Sequence, residues 1–377
     1  MDTIIQAASQ RANMNDMSVK ENTVKMSSGG NNVVDKELEE LLKKHQATIK
    51  VVGCGGGGNN TISRIKEVGI VGVETVAINT DAQDLLFTNA EKKVLIGREL
   101  TRGLGAGANP KLGEDAAKEN EKEIRESIKG ADLVFITCGL GGGTGTGSAP
   151  VIAEISKKMN SLTVGIVTIP FSVEGQSRYQ NALYGLNNLR KGVDTLIVIP
   201  NDKLLEIAPN LPLNIAFKVA DEILTNAVRG IAELVTRTGL VNLDFADIRA
   251  VMNDGGVALI GLGESDSENR AEEAIEKALE NPLLDVDISG ASGALINVSG
   301  GNDLTLDETR KVVEKVSERL DEDAKIIWGA QIYEDLKKRI RVLLIITGVK
   351  SSQILGRTSP EEIKKDIEEE LGINFVD

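Results

Sequence analysis

The feature that most constrains this chain is a loop with five glycines in seven residues, Gly141 to Gly147. It lies between an apolar run, Leu133 to Ile136, and a stretch from Val151 to Lys158 whose apolar residues recur at helical spacing. The local order predicted is strand, glycine loop, helix. Glycines at that density let the backbone turn with positive φ and leave no Cβ to hold a ligand away, so successive N–H groups can converge on an anion. Thr144, Thr146 and Ser148 add hydroxyls, and the positive end of the following helix points at the same place. The loop reads as a phosphate cradle. A second unit of the same kind opens the domain: Thr48 to Val52 as strand, Gly53 to Asn60 as glycine loop, and a helix from Thr61.

Further apolar runs at Val73 to Ile78, Leu162 to Ile169 and Thr195 to Ile199 alternate with helical patterns at Leu112 to Ile128 and Gln176 to Arg190. Buried strands alternating with amphipathic helices predict an α/β fold. Its sheet is parallel and doubly wound, with ligands at the carboxyl ends of the strands and both glycine loops on one rim. The longest helix is expected from near Pro212 to about Thr238, just before Gly239. Phe217, Ala220, Leu224, Ala227, Ile231 and Leu234, widened by Ile223, Val228 and Val235, give it a broad apolar face, so it should lie between two layers.

Beyond Gly239, strands at Val257 to Leu262, Ala294 to Val298, Ile326 to Ile332 and Val342 to Thr347 alternate with helices at Ala271 to Leu279 and Leu306 to Leu320. They form a smaller α+β domain. The expected organisation is a disordered N-terminal tail over 1–45 that ends in a short helix from Val34 to His45, a ligand-binding domain over 46–238 that includes the central helix, and a second domain over 239–350. A C-terminal tail over 351–377 follows, with a helix that starts at Ser359-Pro360 and carries Ile363, Ile367 and Leu371 on one stripe.

The formal net charge of −14, with no cluster of Lys and Arg, argues against a nucleic-acid surface. No apolar run reaches the roughly 18 residues of a membrane helix, and no basic-then-apolar leader opens the chain, so a cytosolic protein without direct membrane insertion is expected. Cys54 and Cys138 each follow an apolar strand beside glycine and read as small packed residues rather than a disulfide or a zinc site. His45, the single histidine, precedes the first strand, which argues against a Ser-His-Asp or Cys-His mechanism.

Gly53-x-Gly55-x-x-Gly58 also satisfies the dinucleotide fingerprint, which keeps an oxidoreductase in view. The acid expected at the end of the second strand is replaced by Asn79, with Asp81 two residues late, and such an enzyme has no use for a second dense glycine loop. A P-loop NTPase is excluded, because no GxxxxGK[ST] occurs and neither loop contains Lys or Arg. The phosphates would be held by backbone N–H groups, helix ends, hydroxyls and Mg²⁺. A third glycine segment, Arg102 to Pro110, could close over a terminal phosphate or be a surface turn.

Gly141 to Gly147 resembles the signature loop of the tubulin/FtsZ family of GTPases. The likeness extends in order through Gly53 to Asn60, Asn79-Thr80-Asp81, Gly105 to Pro110, Pro170-Phe171-x-x-Glu174-Gly175-x-x-Arg178, Pro200-Asn201-Asp202 and Asn242-Leu243-Asp244-Phe245-Ala246-Asp247. It covers residues 46–350, and Gly-Cys-Gly-Gly-x-Gly-Asn-Asn has the archaeal form. The resemblance implies a tubulin-like GTPase that builds head-to-tail homopolymers for a division ring. A cytoskeletal or cell-shape relative of the same fold is the alternative.

It also implies GTP/GDP contacts from Gly55, Gly56, Gly57, Gly58, Asn59, Asn60, Asp81, Ala106, Gly107, Asn109, Gly142, Gly143, Thr144, Gly145, Thr146 and Asn201. By the same resemblance Glu174 and Arg178 contact ribose and base, Phe217 stacks on guanine, and Asp221 accepts from guanine N1 and N2, a paired donation adenine does not offer. Asn242, Asp244 and Asp247 are implied to enter the site of the next subunit and position the attacking water, so that hydrolysis depends on assembly. The tail departs from the bacterial pattern of a long linker and basic peptide. Its segment Ile363 to Val376 is expected to dock on a SepF-like membrane anchor at the division site.

Overall fold

A computed structural model describes residues 47–207, 213–237, 240–241, 243–281, 283, 288 and 291–349. The expected N-terminal tail and helix, His45, Pro212, Gly239, Asn242 and the C-terminal tail lie outside the described residues.

Strands whose every residue is buried need cover on both faces, and Ile49–Cys54 and Leu162–Ile169 are of that kind. They belong to a ten-stranded sheet. In chain order the strands are β1 Ile49–Cys54, β2 Val73–Asn79, β3 Lys92–Leu95, β4 Leu133–Gly139, β5 Leu162–Ile169, β6 Thr195–Pro200, β7 Gly256–Ser265, β8 Gly293–Gly300, β9 Lys325–Ile332 and β10 Ile340–Thr347. Across the sheet they run β3-β2-β1-β4-β5-β6-β7-β10-β8-β9. From β3 to β7 all pairs are parallel. β10 is antiparallel to both β7 and β8, and β9 is parallel to β8. The chain leaves β1 towards β2 and β3, then returns to β4 on the other side of β1. This reversal opens a crevice at the carboxyl ends of β1 and β4, where a doubly wound sheet takes its ligands.

The α-helices of six or more residues, in chain order, are α1 Gly55–Val68, α2 Ala82–Phe87, α3 Pro110–Glu119, α4 Glu121–Ile128, α5 Thr144–Lys158, α6 Gln176–Gly192, α7 Asn201–Ile207, α8 Leu213–Thr236, α9 Phe245–Met252, α10 Arg270–Leu279 and α11 Leu306–Ser317. Side chains alternate across each strand, so Val52 and Cys54 of β1 join a core under α3 to α6, whereas Ile49 and Val51 join one under α1, α8 and α9.

The expected strands are present within a few residues of their bounds, and the alternation that predicts a doubly wound sheet is realised. Among the differences, two have a tertiary cause. Strand β3 has the pattern Lys92-Lys93-Val94-Leu95, too polar and short to stand out, and forms because β2 offers it a parallel edge. The helix read as continuous from Leu112 to Ile128 breaks at Asn120, whose buried Oδ1 accepts the Gly97 N–H at 2.8 Å. Helix α11 ends at Ser317, three residues before Leu320.

Helix α8 acts as a ruler. Near its N-terminal end Asp221 accepts from Thr61 Oγ1 of α1 at 3.5 Å, and Phe217 meets Phe171, just past the carboxyl end of β5. Near its C-terminal end Thr236 Oγ1 donates to the Val71 carbonyl at 3.2 Å, just before β2 begins. At 1.5 Å per residue these contacts are about 22–28 Å apart along the helix, so it crosses from one rim of the sheet to the other.

Candidate functional site: a phosphate cradle and an adjoining cleft

The two glycine loops meet at the crevice because glycine lets their backbones touch. A Cβ on Gly147 would lie 1.9 Å from the Pro110 carbonyl oxygen, one on Gly58 2.4 Å from that of Thr137, and one on Gly145 2.7 Å from that of Cys54. Other glycines of the same loops face open space: Gly142 and Gly107 would meet nothing within 4 Å, and Gly56 only Asp84 Oδ2 at 3.9 Å. The first group closes the scaffold and the second leaves backbone exposed to a ligand.

Helices α1 and α5 both start in this crevice. Their N-caps, Cys54 and Gly143, offer no side-chain cap, and neither helix has an acid in its first turn. The first N–H groups of each are orphan donors at the positive end of a helix, which suits an anion. Thr80 Oγ1 and Thr144 Oγ1 lie 2.6 Å apart and join the end of β2 to the start of α5. Asp84 Oδ2 accepts from Asn59 Nδ2 at 2.9 Å and from Asn79 Nδ2 at 2.6 Å, locking the first loop to β2. Asn59 Oδ1, buried, has no protein partner.

Beside the cradle lies an open cleft of about 660 Å³ lined by Gly57, Asn60, Leu140, Thr168, Pro170, Glu174, Arg178, Asn201, Phe217 and Asp221 among others. Phe217 is 40% exposed, unlike the rest of the α8 stripe, and meets Phe171 edge-on at 5.4 Å, so a ring face remains for stacking. Burial pushes the Asp221 carboxyl up to about 6, against the lowering effect of the Thr61 hydroxyl. Asn201 is buried, and its Oδ1 is an acceptor with no protein donor, a place for a ligand N–H or O–H. Glu174 Oε1 accepts the Phe171 N–H at 2.9 Å, while its other oxygen pairs with Arg178 at 2.7 Å.

The structure thus brings together residues expected around phosphates, ribose and base, and two of them also cap helices. Asp81 caps α2 by accepting from Gln83 N and Asp84 N, and Asn109 caps α3 by accepting from Leu112 N at 3.3 Å. The segment around Ala106 and Gly107 is no mere surface turn, since its carbonyls pack on Gly143. Thr80, Asp84, Thr61 and Thr168 join the site without having been singled out. For Thr80 the signal was its place between Asn79 and Asp81; for the others only the fold supplies one. Burial pushes the Cys138 thiol up to about 12 and that of Cys54 well up as well, as befits packed, unreactive thiols.

Asp244 and Asp247 are not in the cleft. Both are exposed; Asp247 Oδ2 accepts the Asp244 N–H at 3.2 Å, and α9, which they start, is tied by Arg249 Nη2 to the Asn160 carbonyl at 2.9 Å. Asn160 precedes the amino end of β5, so this pair sits on the rim opposite the cradle.

Comparison with known proteins agrees with this geometry. Residues 48–209 match the profile of the "Tubulin/FtsZ family, GTPase domain", and residues 256–350 that of the "FtsZ family, C-terminal domain". The chain is 65% identical over 317 residues to Cell division protein FtsZ 1 of Methanocaldococcus jannaschii, covering 84% of this chain and 87% of that protein. It is 61% identical over 345 residues to Cell division protein FtsZ 1 of Thermococcus kodakarensis, covering 89% and 92% respectively. A solved structure, an empty FtsZ dimer of M. jannaschii, superposes with a TM-score of 0.81 at 64% identity, over 85% of this chain and 93% of that one.

Two predictions separate scaffold from ligand contact and test the buried carboxylate. Gly147→Ala forces a Cβ into backbone and is expected to cost about 3 kcal/mol or more in urea unfolding, whereas Gly142→Ala leaves stability within about 0.5 kcal/mol and weakens GDP binding instead. A folded pKa of about 6 for Asp221 lies above its unfolded value, so the native state holds the extra proton and loses stability as pH rises through that interval. Without nucleotide, unfolding at pH 4 and pH 7 should show Asp221→Asn gaining about 1–2 kcal/mol on the unmodified protein over that range, a figure reduced for partial solvent screening.

Proposed function

The chain belongs to the tubulin/FtsZ family, and from that premise we propose that it is a GTP-dependent cell-division protein whose hydrolytic site is completed only when one subunit stacks on the next. The observation that carries this reading is the separation of the two halves of the chemistry by the length of α8. The cradle and cleft occupy the carboxyl rim of the sheet, and Asp244 and Asp247 project from the opposite rim. No loop motion brings the carboxylates over about 25 Å to the phosphates of their own subunit. A second copy stacked rim to rim delivers them. Such a contact joins two different surfaces and does not close, so it propagates as a filament.

In this reading the backbone N–H groups of both loops and the starts of α1 and α5 bind the phosphates. Phe217 stacks on guanine, Asp221 accepts its paired N–H donors, Asn201 Oδ1 takes a further donor, and Glu174 and Arg178 face the ribose. Mg²⁺ suits a cradle without Lys or Arg, because it takes oxygen ligands and neutralises phosphate charge; the Thr80–Thr144 hydroxyl pair and the Asp84 carboxylate are the chain's oxygens at hand. Asp244 and Asp247, with Asn242, orient and polarise the attacking water in the neighbouring site. The chain divides into a GTPase domain over 46–238 and an assembly domain over 239–350. The protein works in the cytoplasm at the division site, and its tail docks on a SepF-like membrane anchor. Among the described residues no helix is long and apolar enough to cross a membrane. A cell-shape role on the same fold is separated by depletion, which would leave undivided filamentous cells under the division reading and misshapen dividing cells otherwise.

Asp244→Ala is expected to retain GTP binding and to lose turnover by about 100-fold or more, the usual loss for a group that positions an attacking water. Phosphate release measured alongside light scattering checks it; unchanged turnover, or full activity below the concentration at which polymer forms, would overturn the shared site. Deleting residues 370–377 should abolish binding to the membrane anchor in a pull-down while GTP turnover stays as before.

A further inference from the structure

We propose that Asp202 is the positioning residue of the nucleoside side of the cleft, acting through the turn that follows β5. This rests on the nucleotide reading of the cleft. Asp202 does not line the cleft itself. It stands in the first turn of α7, next to Asn201, and its carboxylate takes every polar hydrogen that Ser172 has. The Ser172 N–H donates to Oδ1 at 3.0 Å and Oδ2 at 3.2 Å, and the Ser172 hydroxyl donates to Oδ2.

Ser172 opens a single 3₁₀ turn, Ser172–Glu174, whose last residue lines the cleft. Phe171, just before it, supplies the edge against which Phe217 rests, and Glu174, at its end, holds Arg178. The turn closes on itself through Glu174 N–H to the Phe171 carbonyl and Phe171 N–H to Glu174 Oε1, both 2.9 Å. Its ends are held, Phe171 by burial and Gly175 by its carbonyl, which accepts the Arg178 and Tyr179 N–H groups, but its tip is bare: Val173 is 82% exposed, and Gly175, at φ +99°, has nothing within 4 Å of where a Cβ would be. Between fixed ends a bare tip can still tilt. The paired acceptance by Asp202 sets that tilt, and with it the direction of Glu174 and, through it, of the Arg178 guanidinium. The anchor belongs to α7, whose first residue aims its orphan acceptor into the same cleft. The phosphate cradle, built on β1, β2 and β4, shares none of these bonds.

The separation of the two walls gives the test. Calorimetric titration of the full chain compares GDP with tripolyphosphate, which offers phosphates and no nucleoside. For Asp202→Ala the Kd for GDP should rise about tenfold or more, the effect of losing charge-assisted bonds to one turn, while that for tripolyphosphate stays within about twofold. Asp202→Asn, isosteric and with one oxygen left to accept the Ser172 N–H, should recover part of the GDP affinity; it is the deciding variant if the alanine form melts early. GDP affinity unchanged in both variants, or an equal loss for both ligands in Asp202→Asn, would overturn the assignment. An unmodified protein that binds neither ligand would instead remove the nucleotide reading on which it stands.

Discussion

The whole arrangement depends on backbone meeting backbone at one point, where β1 and β4 diverge. A Cβ at Gly58 or Gly145 would penetrate a carbonyl of the facing strand-and-loop unit, so the two loops can share the crevice only as glycine. Once they share it, two uncapped helix starts face the same volume. Neither loop carries Lys or Arg, and the attraction for phosphate comes from N–H groups and helix ends whose partial charges are fixed by the fold. A site of this kind is prepared before its ligand arrives, but it neutralises only part of a polyphosphate's charge. In the proposed reading the group that orients the attacking water comes from elsewhere.

The missing group and the ruler-like α8 are two sides of one design. The helix is buried because its broad apolar face lies on the sheet, and its length follows from the depth of sheet it must cross. Its C-terminal half is also fastened to the second half of the chain. Glu233, almost wholly buried, pairs with Arg229 at 3.2 Å and Arg237 at 3.3 Å, accepts from the Tyr333 hydroxyl, and has both guanidinium groups lying against the Tyr333 ring. Removing one member of such a cluster leaves a buried charge unpaired, so it favours a single placement of α8 against β9. The strand that carries Tyr333's neighbours also pairs with Val241, on the way to the Asp244 loop. The opposite rim is therefore tied to the second half of the chain, which matters if it must present carboxylates accurately to another subunit.

Much of this was legible in the sequence, and the division between what was and was not follows from how each part is encoded. Glycine loops between a strand and a helix are local signals, and both fell where the sheet order reverses. The α8 stripe is a periodic signal, and all of its members but Phe217 and the half-buried Val235 are buried. Strand β3 and the break at Asn120 are tertiary: one needs the free edge of β2, the other the N–H of Gly97. Asp81 and Asn109 illustrate the same limit in the site. Their residue types suit a ligand and a helix cap equally, and only the local backbone decides that their oxygens already have donors.

Phosphate and nucleoside recognition differ in legibility for a further physical reason. A phosphate is met by backbone, so its recognition compresses into glycine, the one residue type that backbone approach demands. The cleft beside the cradle is lined instead by side chains drawn from α6, α7 and α8 and from the turn after β5, and each of those side chains is ordinary in its own segment. Glu174 and Arg178 look like a helix-start pair, Asp221 like a polar-face residue, and Asp202 like a first-turn acid at favourable distance from a helix dipole. What distinguishes them is convergence: burial raises the Asp221 carboxyl, an unmatched oxygen marks Asn201, and both hydrogens of Ser172 are spent on Asp202. The part of a binding site made of backbone is thus written once in the sequence, whereas the part made of side chains is written only in their mutual placement.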